Sequence, residues 1–271
     1  MLKAVIWDVD GTVAETERDG HRIAFNQALM ELGAPWQWDV TTYGRLLRVT
    51  GGFERLLFDM STRPDAPPSD AERALLARTV HLRKNEIYAD LIAAGAISAR
   101  PGVARLMDEC EAAGIQLAVA TTTSRSNVEA LFASLFGKAW RRRFAAVVCA
   151  EDAPAKKPDP QAYRLTLERL GITVMQASNQ ASNQATNQAT EQVIAIEDSP
   201  NGLMAATAAG IVTLVTRSAY FAGDEFAGCA AICDDLDHEL QWAGGSSPRT
   251  DIAALTVLLA ARTASQSMTR H

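Results

Sequence analysis

The chain has 271 residues, 48% of them hydrophobic, and a net charge of −6, with a pI near 5.3. That length suits one large or two modest domains, two being expected, and the acidic balance excludes a broad nucleic-acid-binding field while allowing a locally basic site for a small anion. Asp8 and Asp10 near the start, and the lack of any apolar run approaching ~18 residues, argue against a signal peptide or membrane span, so a cytoplasmic enzyme is expected.

The first element is a buried strand, Ala4–Trp7, which runs into Asp8-Val9-Asp10-Gly11-Thr12. Residues two apart in an extended chain share a face, so Asp8 and Asp10 can point into one space while Gly11 turns the chain away. Ala14–Leu32 then places Ile23, Phe25, Ala28, Leu29 and Leu32 at mostly helical spacing and stops at Gly33. Thr41–Val49, Phe53–Met60, Asp70–Glu86 and Glu86–Ala94 also read as helices, broken by Gly51-Gly52, by Pro64, Pro67 and Pro68, and by Gly95. Thr16–Ala94 is therefore expected to be all-helical.

From Arg100 onward helices and strands alternate. The helix Gly102–Ala113 leads to the strand Ile115–Ala120 and the run Thr121-Thr122-Thr123-Ser124. Asn127–Leu135 is a helix and Ala145–Cys149 a strand; Lys156-Lys157-Pro158-Asp159-Pro160 introduces a further helix, with Asp159 as N-cap and Gly171 as its stop. Val193–Ile196 is a strand ending in Glu197-Asp198, Ser199-Pro200 opens a helix running to Gly210, and Val212–Thr216 is the next strand. Such alternation predicts a parallel sheet with helices on both faces. Between them, QASNQASNQATNQATEQ has too little apolar surface to order itself, and 176–190 is expected to be a flexible surface insertion. A short strand at Ala230–Ile232, a helix at Asp251–Arg262 and a frayed tail at Thr263–His271 complete the chain. Cys110, Cys149, Cys229 and Cys233 read as reduced core thiols, and Arg141-Arg142-Arg143 as a solvated helix end.

In open parallel sheets ligands bind beyond the carboxyl ends of the strands. Asp8, Asp10, Thr121, Lys157, Glu197 and Asp198 all lie at or beyond such ends. Together they offer what phosphoryl transfer needs: a carboxylate nucleophile, a second carboxyl to pass protons, a hydroxyl and an ammonium to hold phosphate oxygens, and further carboxylates for Mg²⁺. Without cations an anionic nucleophile would repel an anionic phosphate.

DVDGT at 8–12, ATT at 120–122, KKP at 156–158 and EDS at 197–199 resemble, in order, the four motifs of the haloacid dehalogenase superfamily. The resemblance implies a Rossmann-like α/β core with a mainly parallel sheet flanked by helices, formed by 1–15 and 96–271, with an inserted all-helical cap at 16–95. It also implies that Asp8 is the nucleophile and Asp10 the general acid/base, that Thr121 and Lys157 hold the phosphoryl group, and that Asp8, the Asp10 carbonyl and Asp198 ligate Mg²⁺ with Glu197 beside the metal. The stretches WDVDGTVAETERDGHRIAFN, VTGGFERLL, LRKNEIYADLI, ARPGVARLM and ATTTSRSNVEALF are similar to the CbbY-type phosphatases found beside Rubisco, whose substrate class is xylulose 1,5-bisphosphate. That group commonly reads GGKER in the cap, where this chain has Gly51-Gly52-Phe53-Glu54-Arg55, so Phe53 replaces a cation expected near the second phosphate.

Arg55 and Lys84 are cap cations that can grip a distal phosphate, the alternative reading being solvated helix charges. Glu15 and His21, in the hinge and first cap helix, are placed to meet sugar hydroxyls, and Gly52 and Thr122 complete the substrate-binding set. The expectation is a monomeric, Mg²⁺-dependent phosphatase of a small phosphorylated sugar, with no nucleic-acid or membrane partner. A phosphosugar mutase of the β-phosphoglucomutase type uses the same aspartate but returns the phosphoryl group to substrate; phosphoglycolate hydrolysis is a further alternative, and a non-catalytic binding module of this fold a remote one.

Overall fold

Strand residues of alternating face account for the sheet. In β1 (Ala4–Trp7) Val5 and Trp7 enter one apolar cluster and Ala4 and Ile6 the other; in β2 (Gln116–Ala120) Leu117 and Val119 divide from Ala118 and Ala120 in the same way. A strand apolar on both faces is stable only with helices on both sides. The computed structural model describes residues 1–172 and 192–268. The Gln/Asn repeat expected at 176–190 lies outside the described residues.

Among the described residues eight strands form one sheet in the order β3-β2-β1-β4-β5-β6-β7-β8. The others are β3 (Phe144–Val148), β4 (Val193–Glu197), β5 (Val212–Thr216), β6 (Ala231–Cys233), β7 (Leu240–Trp242) and β8 (Gly245–Ser247). Pairing is parallel from β3 through β6, and antiparallel only at β6-β7 and β7-β8. The chain steps from β1 out to β3 and returns to lay β4 beside β1. That reversal opens a crevice at the carboxyl ends of β1 and β4.

Between β1 and β2 the chain is helical: a π-helical turn at Glu17–His21, then α1 (Arg22–Glu31), α2 (Val40–Leu46), α3 (Gly52–Ser61) and α4 (Asp70–Ala93). The remaining helices, α5 (Val103–Ala112), α6 (Arg125–Phe136), α7 (Gln161–Arg169), α8 (Pro200–Ala208) and α9 (Ile252–Met268), belong with the sheet. No helix among the described residues is long and apolar enough to cross a membrane.

The structure differs from the sequence reading at several joints. The expected break at Glu86 is absent, because α4 has no Gly or Pro in its interior and its buried stripe of Val80, Lys84, Ile87, Tyr88 and Ile92 runs straight through. Ser69 and Glu72 close a reciprocal capping box at its start. The first helical stretch of the insert begins at Glu17, as a π-helical turn continuous with α1, rather than at Ala14, because Ala14 bridges to Ala99. Helix α7 starts at Gln161, with Pro160 at the N-cap; Asp159 still accepts the Gln161 amide at 2.8 Å, from one residue earlier than expected. The final helix extends through Met268, beyond the expected end at Arg262. The β7-β8 hairpin was not anticipated, because LQW and GSS carry too little alternating apolar pattern to read as strands.

Arg100, where the chain returns from the helical insert, is a structural hub. Its guanidinium donates to the carbonyls of Gly11, Thr216 (3.2 Å), Arg217 (2.6 Å) and Asp234 (2.5 Å), tying the turn after β1 to the ends of β5 and β6. Arg100→Met keeps the side-chain length but leaves these carbonyls without their donor. A loss of roughly 3 kcal/mol is expected, given about 1–3 kcal/mol for each buried group left unsatisfied. At about 2–4 °C per kcal/mol this lowers Tm by about 10 °C. A shift under 2 °C in circular-dichroism melts would show that water or neighbouring donors replace it.

Candidate active site

The turn after β1 is shaped by Gly11, whose φ of +89° is left-handed and where a Cβ would overlap the Asp198 carboxylate. Only glycine brings the two segments this close. Asp8 leaves the end of β1 and Asp198 the end of the neighbouring β4, so Asp8, Glu197 and Asp198 each place a carboxylate oxygen within 4.8 Å of the others. Lys157, from the β3-α7 loop, enters this group and donates from Nζ to Asp8 Oδ1 at 2.6 Å and to Glu197 Oε1 at 2.6 Å. Glu197 lies beneath, fully buried, and also accepts from the Tyr163 hydroxyl.

Three carboxylates face one ammonium here. Burial pushes the Asp8 carboxyl up to about 8, with Lys157 pulling against the rise and Glu197 adding to it. Burial, then the charges of Asp8 and Glu197, hold Asp198 well above the usual carboxylate range. A group of hard oxygen donors with surplus negative charge fits a small divalent cation. The cation would be held by Asp8 and Asp198, with Glu197 beside them.

Asp10 sits apart from that group, largely buried at the cleft floor. Thr16 Oγ1 donates to its Oδ1 at 2.5 Å, and His21 Nε2 lies 3.0 Å from the same oxygen. Burial raises the Asp10 carboxyl, but the His21 and Thr16 contacts outweigh it and bring the group down to about 2. His21 is held in place by stacking on Tyr88, with ring centroids 4.1 Å apart.

These groups floor a cleft of about 360 Å³ between the carboxyl end of the sheet and the helical insert. Asp8, Asp10, Thr121, Thr122, Lys157 and Asp198 line it from the sheet side, and His21, Gly52, Arg55 and Lys84 from the helical side. Arg55 is buried and donates to Tyr43 Oη at 2.8 Å; Tyr43 in turn donates to Glu17 at 2.5 Å. Lys84, also buried, lies over the rings of Phe25 and Tyr88 at 5.0 and 5.2 Å. Burial lowers Lys84 to about 8, with Glu17 and Asp10 opposing the fall. Phe53 contributes an aromatic surface to the same wall.

The structure does not bring Glu15 into the cleft. Its carboxylate accepts the Ala219 amide at 3.1 Å and pairs with Arg100 at 3.5 Å, so its place is in the hinge. Glu197 likewise does not reach the cleft wall, but lies under Lys157. Sequence reasoning missed Thr16, Glu17, Tyr43 and Tyr163. Thr16 and Glu17 lie inside the stretch 7–26 that carries the family resemblance, a signal that could have marked them; Tyr43 and Tyr163 lie in no quoted stretch and are revealed only by the partners that folding brings to them.

The sequence pattern of the haloacid dehalogenase-like hydrolases matches residues 2–210. The plasmid CbbY protein of Cupriavidus necator is 40% identical over 262 residues, spanning 94% of this chain and 95% of that protein. Among solved structures, CbbY from Rhodobacter sphaeroides in complex with phosphate is 39% identical with a TM-score of 0.75, covering 87% of this chain and 95% of that one. A mutant of the same protein in complex with xylulose-(1,5)bisphosphate is similar at 38% identity, with the same TM-score of 0.75 and the same coverage of 87% and 95%.

Proposed function

From the premise that the chain belongs to the haloacid dehalogenase-like hydrolases, among proteins of the CbbY type, we propose that it is a Mg²⁺-dependent phosphatase that converts xylulose 1,5-bisphosphate to xylulose 5-phosphate. The observation that carries this reading is the two-sided cleft. Lys157 and the carboxylates of Asp8 and Asp198 stand at one end, and the buried cations Arg55 and Lys84 at the other, so one molecule with two phosphates satisfies both ends. The helical segment 16–95 serves as a cap over a core formed by 1–15 and 96–271.

In the first step an Asp8 carboxylate oxygen forms a bond to phosphorus while the bond from phosphorus to the sugar oxygen breaks, and Asp10 gives a proton to the departing oxygen. In the second, Asp10 takes a proton from water, the water oxygen bonds to phosphorus, and the bond from the Asp8 oxygen to phosphorus breaks to release phosphate. Asp8, Asp198 and the Asp10 carbonyl, with Glu197 adjacent, would hold Mg²⁺, which when bound would supply positive charge to the phosphoryl oxygens. Thr121 and Lys157 hold those oxygens from the protein side. Thr16 and His21 keep Asp10 ionised in the resting enzyme; the arriving phosphate's charge raises its affinity for the proton it must donate.

Phosphate release from xylulose 1,5-bisphosphate, xylulose 5-phosphate, glucose 1-phosphate and phosphoglycolate tests the reading. A kcat/KM at least ~100-fold higher for the bisphosphate is expected from the charge-assisted grip on a second phosphate. Preference for phosphoglycolate, or isomerisation of glucose 1-phosphate without phosphate release, would overturn it.

The grip itself has a pH signature. A lysine lowered to about 8 loses its charge as pH rises through that value, so the free enzyme's hold on the distal phosphate weakens in alkali. KM for the bisphosphate is expected to rise about tenfold per pH unit above that point. Lys84→Met should start with a high KM and show no such rise; a wild-type KM flat from pH 7 to 9.5 would remove Lys84 from the distal site.

A further inference from the structure

Tyr163 lies on α7, six residues beyond Lys157, and is fully buried although it ends in a hydroxyl. That hydroxyl donates to Glu197 Oε1, the same oxygen that accepts from Lys157 Nζ at 2.6 Å. The other oxygen, Oε2, accepts the Asp198 amide at 3.3 Å. From the far side α8 closes on the carboxylate so tightly that a Cβ at Gly202 would overlap it. Glu197 is thus enclosed by a hydroxyl, an ammonium, an amide and a bare glycine backbone.

Lys157 is held by the same tyrosine twice over. Its Nζ stands 5.1 Å from the centre of the Tyr163 ring and is bonded to the carboxylate that the Tyr163 hydroxyl fixes. An ammonium has three donors. Two are committed to Asp8 and Glu197, so the direction of the third is set by those two bonds and the ring. A group that must meet a phosphoryl oxygen in the transition state has to be held within about 0.5 Å.

We propose that Tyr163 is a positioning residue for phosphoryl transfer: its hydroxyl locks Glu197, and Glu197 with the tyrosine ring aims the free N–H of Lys157 at the phosphoryl group on Asp8. The inference rests on the reading of Asp8 as the phosphoryl acceptor. It assigns Glu197 a part played through Lys157, and it gives Gly202 a reason to lack a side chain.

The test uses the full-length protein with Mg²⁺ and the variants Tyr163→Phe, Glu197→Gln and their combination. Tyr163→Phe keeps the buried ring and removes only the hydroxyl, so Tm should stay within a few degrees of wild type. Loss of an outer contact that orients a site group costs about 10–100-fold; kcat is expected to fall about tenfold with KM changed less than twofold. Because the hydroxyl acts through Glu197, adding Tyr163→Phe to Glu197→Gln should cost less than a further twofold. A hydroxyl that merely fills the core would leave kcat within twofold of wild type, or lower it equally in both backgrounds, and either result overturns the proposal.

A readout free of turnover is the ¹⁹F spectrum of trifluoroberyllate bound to Asp8 as a phosphoryl mimic. In Tyr163→Phe the fluorine that accepts from Lys157 should change its shift while the other two hold; three unmoved resonances would also overturn the proposal. If wild-type protein forms this adduct but does not hydrolyse the sugar bisphosphate, the substrate assignment fails while the positioning role is still decided by the spectrum.

Discussion

Asp8→Asn is expected to lower kcat by at least ~10⁴-fold, because the amide cannot form the acyl-phosphate intermediate. The fold should survive, and in metal-free protein it should gain stability. Burial raises the Asp8 carboxyl from its ordinary 3.8 to about 8 in the native state. Between those values the native chain binds more protons than the unfolded one, so the Asp8 contribution to stability falls as pH rises. Asn cannot ionise, and the slope from this position disappears. Melting curves without metal should place Asp8→Asn at or above wild type at pH 8, with little difference near pH 4. Turnover within tenfold of wild type would show that another group attacks phosphorus.

The second large effect belongs to Asp10. Loss of a general acid/base costs about 10²–10⁴-fold, and Asp10→Asn is expected at the upper end on a sugar phosphate because one carboxyl serves both steps. The two steps separate with p-nitrophenyl phosphate, whose leaving group departs without a proton. There Asp10→Asn should still release one p-nitrophenolate per active site in a burst, followed by slow turnover while the phosphoenzyme waits for activated water. Rapid mixing with absorbance detection reads both phases. An equal loss in the first turnover with both substrates would mean that Asp10 matters for positioning alone.

Much of this was legible in the chain, for a physical reason. Strand ends carry short-range signals: an apolar run with period two, then Asp8 and Asp10, or Glu197 and Asp198, and the parallel sheet brings such ends to one edge. The cluster of Asp8, Lys157, Glu197 and Asp198 was therefore available before any coordinates. What the sequence withheld depends on packing between distant segments. Nothing in the string shows that Tyr43 would stand between Glu17 and Arg55, or that Glu15 would turn to Arg100 and Ala219 instead of the cleft. Helix α4 ran past Glu86 because its buried stripe extends over a longer span than the local pattern conveys. The β7-β8 pair owes its pairing to the edge offered by β6 more than to its own residues.

The described chain stops at Ile172 and resumes at Gln192, whose carbonyl accepts the Lys3 amide at 2.8 Å. Both junctions are at the amino end of the central strands, the rim opposite the catalytic mouth. A reporter, an affinity handle or a bond to a solid support attached at Ile172 or Gln192 would sit on the rim away from the entrance. Immobilised in this orientation, the enzyme would present its entrance to the surrounding solution.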